Sequence, residues 1–204
     1  MLHIVLPLLM ALGIAAVIAA YAMRKHFNSL IPPFRLDERH NALQVRRYPK
    51  LAVAEVRAQG TASVALSKGG AMLDRYFREG SIARFAMPLI AEKMENSPDT
   101  WTISALLPDG VTMEAAPAPI SDSDRIQLKE IAAHRAVCRH LHGPVQPDEH
   151  LARCKSDMLV MVNDLCRVLG CTKLSTVTVM HRYPWWMPPW LRVSDLMVRV
   201  TDGA

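Results

Sequence analysis

The sequence predicts an α+β domain in which two pseudo-symmetric, duplicated β-β-α-β-β units form one barrel-like antiparallel sheet with two helices, preceded by one transmembrane helix. Three observations carry this expectation. An almost unbroken apolar run opens the chain and stops at Arg24-Lys25-His26; two stretches with helical periodicity lie far apart in the remainder; and each is flanked on both sides by short segments rich in strand formers.

The opening run from Leu2 to Met23 is roughly 22 residues long, so at ~1.5 Å per helical residue it reaches the ~30 Å of a bilayer's hydrocarbon core. A secretory signal competes with this reading, because Ala19-Ala20-Tyr21-Ala22 offers small residues near the end of the run. Such a signal normally starts with Lys or Arg and has a shorter core, and neither holds here. Residues 1–24 are therefore expected to be a retained single-pass membrane anchor in the lipid bilayer. Arg24, Lys25 and Arg35 on its C-terminal flank put the soluble part on the cytoplasmic side; cleavage would instead leave it periplasmic or secreted. Residues 25–36, which include Pro32-Pro33, read as a linker, and 37–204 as one domain.

In that domain, 43–48 and 51–56 are short, roughly alternating and rich in strand formers, and Pro49-Lys50 between them reads as a hairpin turn. Thr61 then offers an N-cap, and Ala65, Leu66, Gly69, Leu73, Tyr76 and Phe77 recur at helical spacing until Gly80. Strands follow at 84–90, where Pro88 demands an edge or a bulge, and at 101–107. The second unit repeats the order: strands at 125–131 and 135–141, a helix, then strands at 175–180 and 195–200. Its helix places Leu151, Cys154, Met158, Met161 or Val162, Leu165 and Leu169 on one stripe, with Gly170 just past the end.

Several function classes are disfavoured. A formal charge of +5 is modest and no run of five basic residues occurs, so no nucleic-acid partner is expected. Cys138, Cys154, Cys166 and Cys171 form no C-x-x-C pair and read as buried small hydrophobes. The chain holds no G-x-S-x-G elbow, no phosphate-cradling glycine loop and no H-E-x-x-H, which argues for binding rather than for an enzyme.

Several local strings occur in an order similar to one known family. Leu43-Gln44-Val45-Arg46-Arg47-Tyr48 is like a first strand ending in Arg-x-Tyr, and Phe85-Ala86-Met87-Pro88-Leu89 is like a Met-Thr-x-Pro-Val segment that has lost its threonine. Trp101 through Pro108, then Pro117-Ala118-Pro119, then Tyr183 with Pro189, Arg192, Ser194 and Asp195 continue the match. Together they resemble the SOUL haem-binding protein family over about residues 34–200, with Ser194-Asp195 where that family has Asn-Glu. The resemblance implies a pseudo-symmetric barrel-like sheet flanked by two helices. It also implies that haem or another tetrapyrrole is bound in an apolar groove beside the first helix, with basic side chains meeting the propionates; the leading reading is a carrier or buffer, and haem-degrading activity is an alternative with little support in the sequence.

On that reading Lys68, Met72, Arg75 and Tyr76 of the first helix, with His181, are candidate tetrapyrrole-binding residues. The plainer account makes Lys68 and Arg75 a solvated face and Met72 and Tyr76 core. Gly69-Gly70 costs a helix ~1 kcal/mol per glycine, which implies a close approach, more simply by an underlying strand than by a flat ligand. His134, Ala136, Cys138, His140 and His142 alternate and so share one face of a strand; of these only neighbours such as His140 and His142 could share a metal ion. Trp185, Trp186 and Trp190 would cap a ligand groove, lie in the headgroup region or pack against the barrel end. A second function stays open: a non-haem binding or scaffold module for small amphipathic ligands or a protein partner at the membrane.

Overall fold

The computed structural model describes residues 10, 13–22, 25, 32–80, 89–94, 97, 99–108, 111–117, 126–143, 148–183 and 192–201. Contacts divide the chain into residues 1–31 and 32–204. In the first unit, 13–22 are helical (α1), with Ile14, Val17, Ile18 and Tyr21 exposed. Among the described residues no helix is long and apolar enough to cross a membrane; residues 1–9, 11–12 and 23–24 of the expected anchor lie outside them.

The second unit runs β1 (Arg35–His40), β2 (Leu43–Tyr48), β3 (Leu51–Gln59), α2 (Ala62–Glu79), β4 (Leu89–Lys93), β5 (Thr100–Leu106), β6 (Gln127–Ile131), β7 (His134–His142), α3 (Asp148–Leu169), β8 (Thr178–His181) and β9 (Val193–Val200). The nine strands form one sheet in the order β1-β2-β7-β9-β8-β4-β5-β3-β6, and every pairing is antiparallel. The class is α+β, as expected. β1 lacks a counterpart in the sequence reading, and its first residues fall in the stretch read as linker.

Leaving β1 aside, the order is a palindrome once β2 is equated with β6, β3 with β7, β4 with β8 and β5 with β9, so the duplication is built into the pairing. The expected hairpin between 43–48 and 51–56 is not formed. β2 pairs with β1 and β7, whereas β3 pairs with β5 and β6, so each unit lends its first strand to the other. This exchange also curls the sheet. β2 and β3 stand six strand spacings apart, about 29 Å if the sheet were flat. Yet Tyr48 and Leu51 are joined by three virtual bonds spanning at most ~11 Å, and Ile131 and His134 impose the same limit on β6 and β7.

One face carries both helices. α2 buries Ala65, Gly69, Leu73, Tyr76 and Phe77 against Ala54, Val56, Ile103 and Ala105, and α3 buries Leu151, Cys154, Met158, Val162 and Leu165 against Val45, Val137, Leu196 and Val198. The anticipated stripes are the buried ones. Thr61 caps α2, its Oγ1 accepting from Val64 N, and the Gly80 N–H donates to Tyr76 O. The opposite, inward face gathers Tyr48, Leu51, Ile90, Ala136, Cys138, Met180 and Met197 into a core that both units share.

Strand boundaries differ from expectation by up to several residues, most of all in β3, which runs to Gln59, and in β4, β8 and β9. β4 covers Leu89–Lys93 and is internal, paired to β5 and β8, so it is not an edge strand; 81–88, including Pro88, lie outside the described residues. β8 spans Thr178–His181 rather than 175–180, because Ser175 Oγ accepts from Arg199 N and Leu174 N donates to Arg199 O before the ladder begins. β9 starts two residues early, at Val193.

Candidate functional site

The two strings that carry the family resemblance at opposite ends of the chain meet on the inward face. Arg46 Nη1 lies 2.7 Å from Asp195 Oδ2, with both side chains buried, although 149 residues separate them. Arg182 Nη1 approaches the same oxygen at 3.4 Å, and His140 Nδ1 reaches Oδ1 at 2.6 Å. A carboxylate can only accept, so Nδ1 of His140 carries a proton for it. Burial would push the Asp195 carboxyl up, but the His140 hydrogen bond and the Arg46 and Arg182 charges outweigh it and hold the group below its ordinary value. Arg46 also donates to Tyr48 Oη at 3.3 Å and lies over the Phe34 ring at 4.4 Å. Burial pushes the Tyr48 phenol up and the Cys138 thiol up to about 12. This centre is a clasp between β2 and β9, the first and last strands of the duplicated fold.

A cleft of about 610 Å³ opens beside that clasp, lined by Phe34, Arg35, Arg47, Tyr48, His134 and Arg135 together with Pro33, Pro49 and Ala133. Strand register builds it. Arg35 is opposite Arg47 and Arg47 is opposite Arg135, so three arginines line up across β1, β2 and β7 on the helix-facing side of the strands, whereas Tyr48 is opposite His134 on the inward side, and the cleft draws on both. Like charges directly opposite one another are unfavourable, and the row is held by Asp37, 3.3 Å from Arg47 and 3.6 Å from Arg135, and by Glu38, 3.3 Å from Arg135. Asp37 also lies 3.9 Å from Arg35. Nε of Arg135 is buried and has no hydrogen-bond partner.

The aromatic wall is Tyr48 stacked on His134, ring centroids 5.3 Å apart at 22°, with Phe34 tilted against Tyr48. His134 Nδ1 is 2.9 Å from the Ala132 carbonyl, which can only accept. The Nδ1 proton is thereby assigned, and in the neutral ring Nε2 keeps its lone pair. Burial, the largest influence, lowers the His134 pKa, against the opposing effect of that hydrogen bond, and favours the neutral ring. An inner recess shares Tyr48 and His134 with the cleft and is also lined by Met180, Met197 and Thr178, whose buried Oγ1 has no partner.

Four of the sequence candidates lie on α2 and the fifth on β8. Lys68 and Arg75 are exposed on α2 with Met72 half-buried between them, Arg75 lying 3.9 Å from Glu79, whereas Tyr76 is core and donates to Pro117 O at 2.9 Å. His181 is buried on the helix side of β8, its Nδ1 3.0 Å from Tyr183 Oη and 3.4 Å from Ser194 Oγ, and burial with the Lys155 and Arg192 charges lowers its pKa to about 4. The alternating row of His134, Ala136, Cys138, His140 and His142 does share the inward face, and the His140 and His142 rings meet edge-on at 4.7 Å. Among the described residues, no group of three or more His, Cys, Asp or Glu is placed to hold a metal ion. Trp185, Trp186 and Trp190 lie outside the described residues. Sequence reasoning missed the arginine row because its members come from three strands, and only the register brings them together.

The fold is shared with several solved structures. A protein from Listeria innocua described as a hydrolase is 14% identical, with a TM-score of 0.51 over 81% of this chain and 94% of that one. An uncharacterized conserved protein from Listeria innocua gives 15% identity and a TM-score of 0.50 over 78% and 92%. The EcmrR C-terminal domain gives 9% identity and 0.54 over 78% and 97%. At such identities the likeness is one of fold alone. A search of curated proteins returns no match. Residues 31–199 match the family described as SOUL heme-binding protein, a span that holds the clasp, the cleft and both helices of the sheet, and the chain belongs to that family.

Proposed function

We propose that this protein binds haem or a related tetrapyrrole reversibly, as a carrier or buffer rather than a catalyst, in the cleft between β1, β2 and β7. One observation carries the reading: His134 offers a neutral imidazole whose Nδ1 proton is committed to Ala132 O, in a cleft that also holds the Tyr48 and Phe34 rings and three arginines. The donor set fits the group. His134 would supply a nitrogen to the iron, Tyr48 and Phe34 would supply apolar contact, and Arg35, Arg47 and Arg135 would meet propionates through charge-assisted hydrogen bonds. Bound iron would supply the ligation and the visible absorption.

The second reading, a pocket for uncharged or cationic amphipathic molecules, expects an apolar cleft without a basic rim, and the arginine row argues against it. The apolar side chains exposed on α1 support tethering to a bilayer, with the domain on the cytoplasmic side and its ligand drawn from the membrane.

Hemin titration of the full chain tests the site. A saturable Soret band at micromolar hemin is expected, with at least tenfold weaker binding and a displaced band in His134→Ala. Absence of any saturable change in folded protein sinks the haem reading. Loss of binding in Lys68→Ala or Arg75→Ala with His134→Ala unaffected moves the site to α2 and refutes the cleft. Recovery of the protein in the membrane fraction, with Met1 to Met23 retained, checks the tether.

A further inference from the structure

Two cysteines that the tetrapyrrole reading does not use lie together at the end of α3. Cys166 is in its last turn, Gly170 follows in the left-handed conformation at φ +63°, and the Cys171 N–H donates to Cys166 O at 3.1 Å. This helix-terminal turn brings the two sulfur atoms to 3.0 Å while both remain free thiols. The downstream segment is anchored independently. Thr172 N donates to Thr201 Oγ1, Thr201 N donates to Thr172 O, and Lys173 bridges to Val200, so Cys171 is held from both sides. Cys138 and Cys154 belong to other surroundings: Cys138 faces Tyr48 on the inward side, and Cys154 faces His150 one turn back along α3.

We propose that Cys166 and Cys171 are a redox modification site, closing to an intrachain disulfide under a hydroperoxide oxidant and locking the end of α3 to the segment that leads into β8. The chemistry balances. One thiolate attacks the O–O bond of hydrogen peroxide, giving a sulfenic acid and, after protonation of the leaving oxygen, water. The second sulfur attacks the sulfenic sulfur, forming S–S and expelling the oxygen as a second water once it takes up a proton. Both thiols are oxidised by the two electrons that reduce one peroxide. A sulfur separation of 3.0 Å must shorten by about 1 Å to a bonded ~2.05 Å, within reach of side-chain rotation. Burial pushes the Cys166 thiol up to about 12, so the reacting thiolate is scarce at neutral pH and closure quickens as pH rises. The device is a slow lock rather than a fast sensor.

The test uses the folded full chain, treated with hydrogen peroxide, quenched, alkylated in denaturant and digested with trypsin. Cleavage at Arg167 separates residues 156–167 from 168–173, so closure appears as a cross-linked pair of these peptides that falls apart on reduction. The expected result is that cross-link, forming roughly tenfold faster per pH unit between neutral and mildly alkaline conditions, and absent from C166S and from C171S. Full alkylation of Cys166 and Cys171 after prolonged oxidation overturns the proposal, as does a cross-link from either to Cys138 or Cys154. Neither result bears on hemin binding, so the two readings fail separately.

Discussion

Gly69 and Gly70 stand side by side in α2, and the structure assigns them opposite responses to alanine. A Cβ at position 69 would lie 2.7 Å from Ile103 Cγ1 and 2.8 Å from Ile103 Cβ, against ordinary carbon contacts of ~3.5–4.0 Å. Ile103 cannot yield, because its Cβ is fixed to a strand paired on one side to Val56 and on the other to Ala91. α2 must lift instead. Overpacking of this kind costs about 1–3 kcal/mol, against which helix propensity returns ~1 kcal/mol. Gly69→Ala should therefore lose up to about 2 kcal/mol, or up to roughly 8 °C in Tm for a domain of this size. At position 70 the Cβ meets only Leu89 Cδ1, at 3.1 Å, the far end of a flexible side chain. Gly70→Ala should be neutral or stabilising by up to ~1 kcal/mol. Urea unfolding followed by circular dichroism measures both. A Gly69→Ala protein as stable as Gly70→Ala would refute the close seating of α2 on β5.

Asp195→Asn leaves the buried Arg46 and Arg182 charges without their carboxylate and should cost about 3–5 kcal/mol in the same assay; a loss below 1 kcal/mol would show that the clasp does not hold the strands. Because the folded Asp195 carboxyl lies below its unfolded value, its stabilisation is present above pH ~4 and disappears as pH falls through the folded value. His181, lowered to about 4, stays neutral when folded while the unfolded ring takes up a proton below pH ~6.5, so stability falls as pH drops from ~6.5 toward 4. Between pH 7 and pH 5 that amounts to roughly 2 kcal/mol, which His181→Gln should remove; equal pH slopes for the two proteins would exclude His181 as the source.

Hydrophobic periodicity located α2 and α3 to within a few residues, and their buried stripes, from Ala65 to Phe77 and from Leu151 to Leu165, are the ones it marks. A helix face is set by residues three and four apart, so it is legible locally. The repeated strand order was legible for the same reason. Strand partners were not: Leu43–Tyr48 and Leu51–Gln59 look like a hairpin, yet burial of both faces of a shared sheet is better met when each unit lends its first strand to the other. Met72 and Arg75 share a stripe that sequence can trace, but it cannot show which strands α2 packs against.

What the sequence by itself determined is what neighbouring residues settle: the apolar run at the start, two amphipathic helices with their caps, the duplication and the family. Tertiary structure alone decided the exchanged strands, the Arg46–Asp195 clasp, the arginine row beside His134 and the paired thiols of Cys166 and Cys171. The physical reason is register and capping geometry. A sheet ladder joins residues by hydrogen bonds that carry no sequence signature, and whether two sulfurs five residues apart meet depends on how one glycine turns the end of a helix.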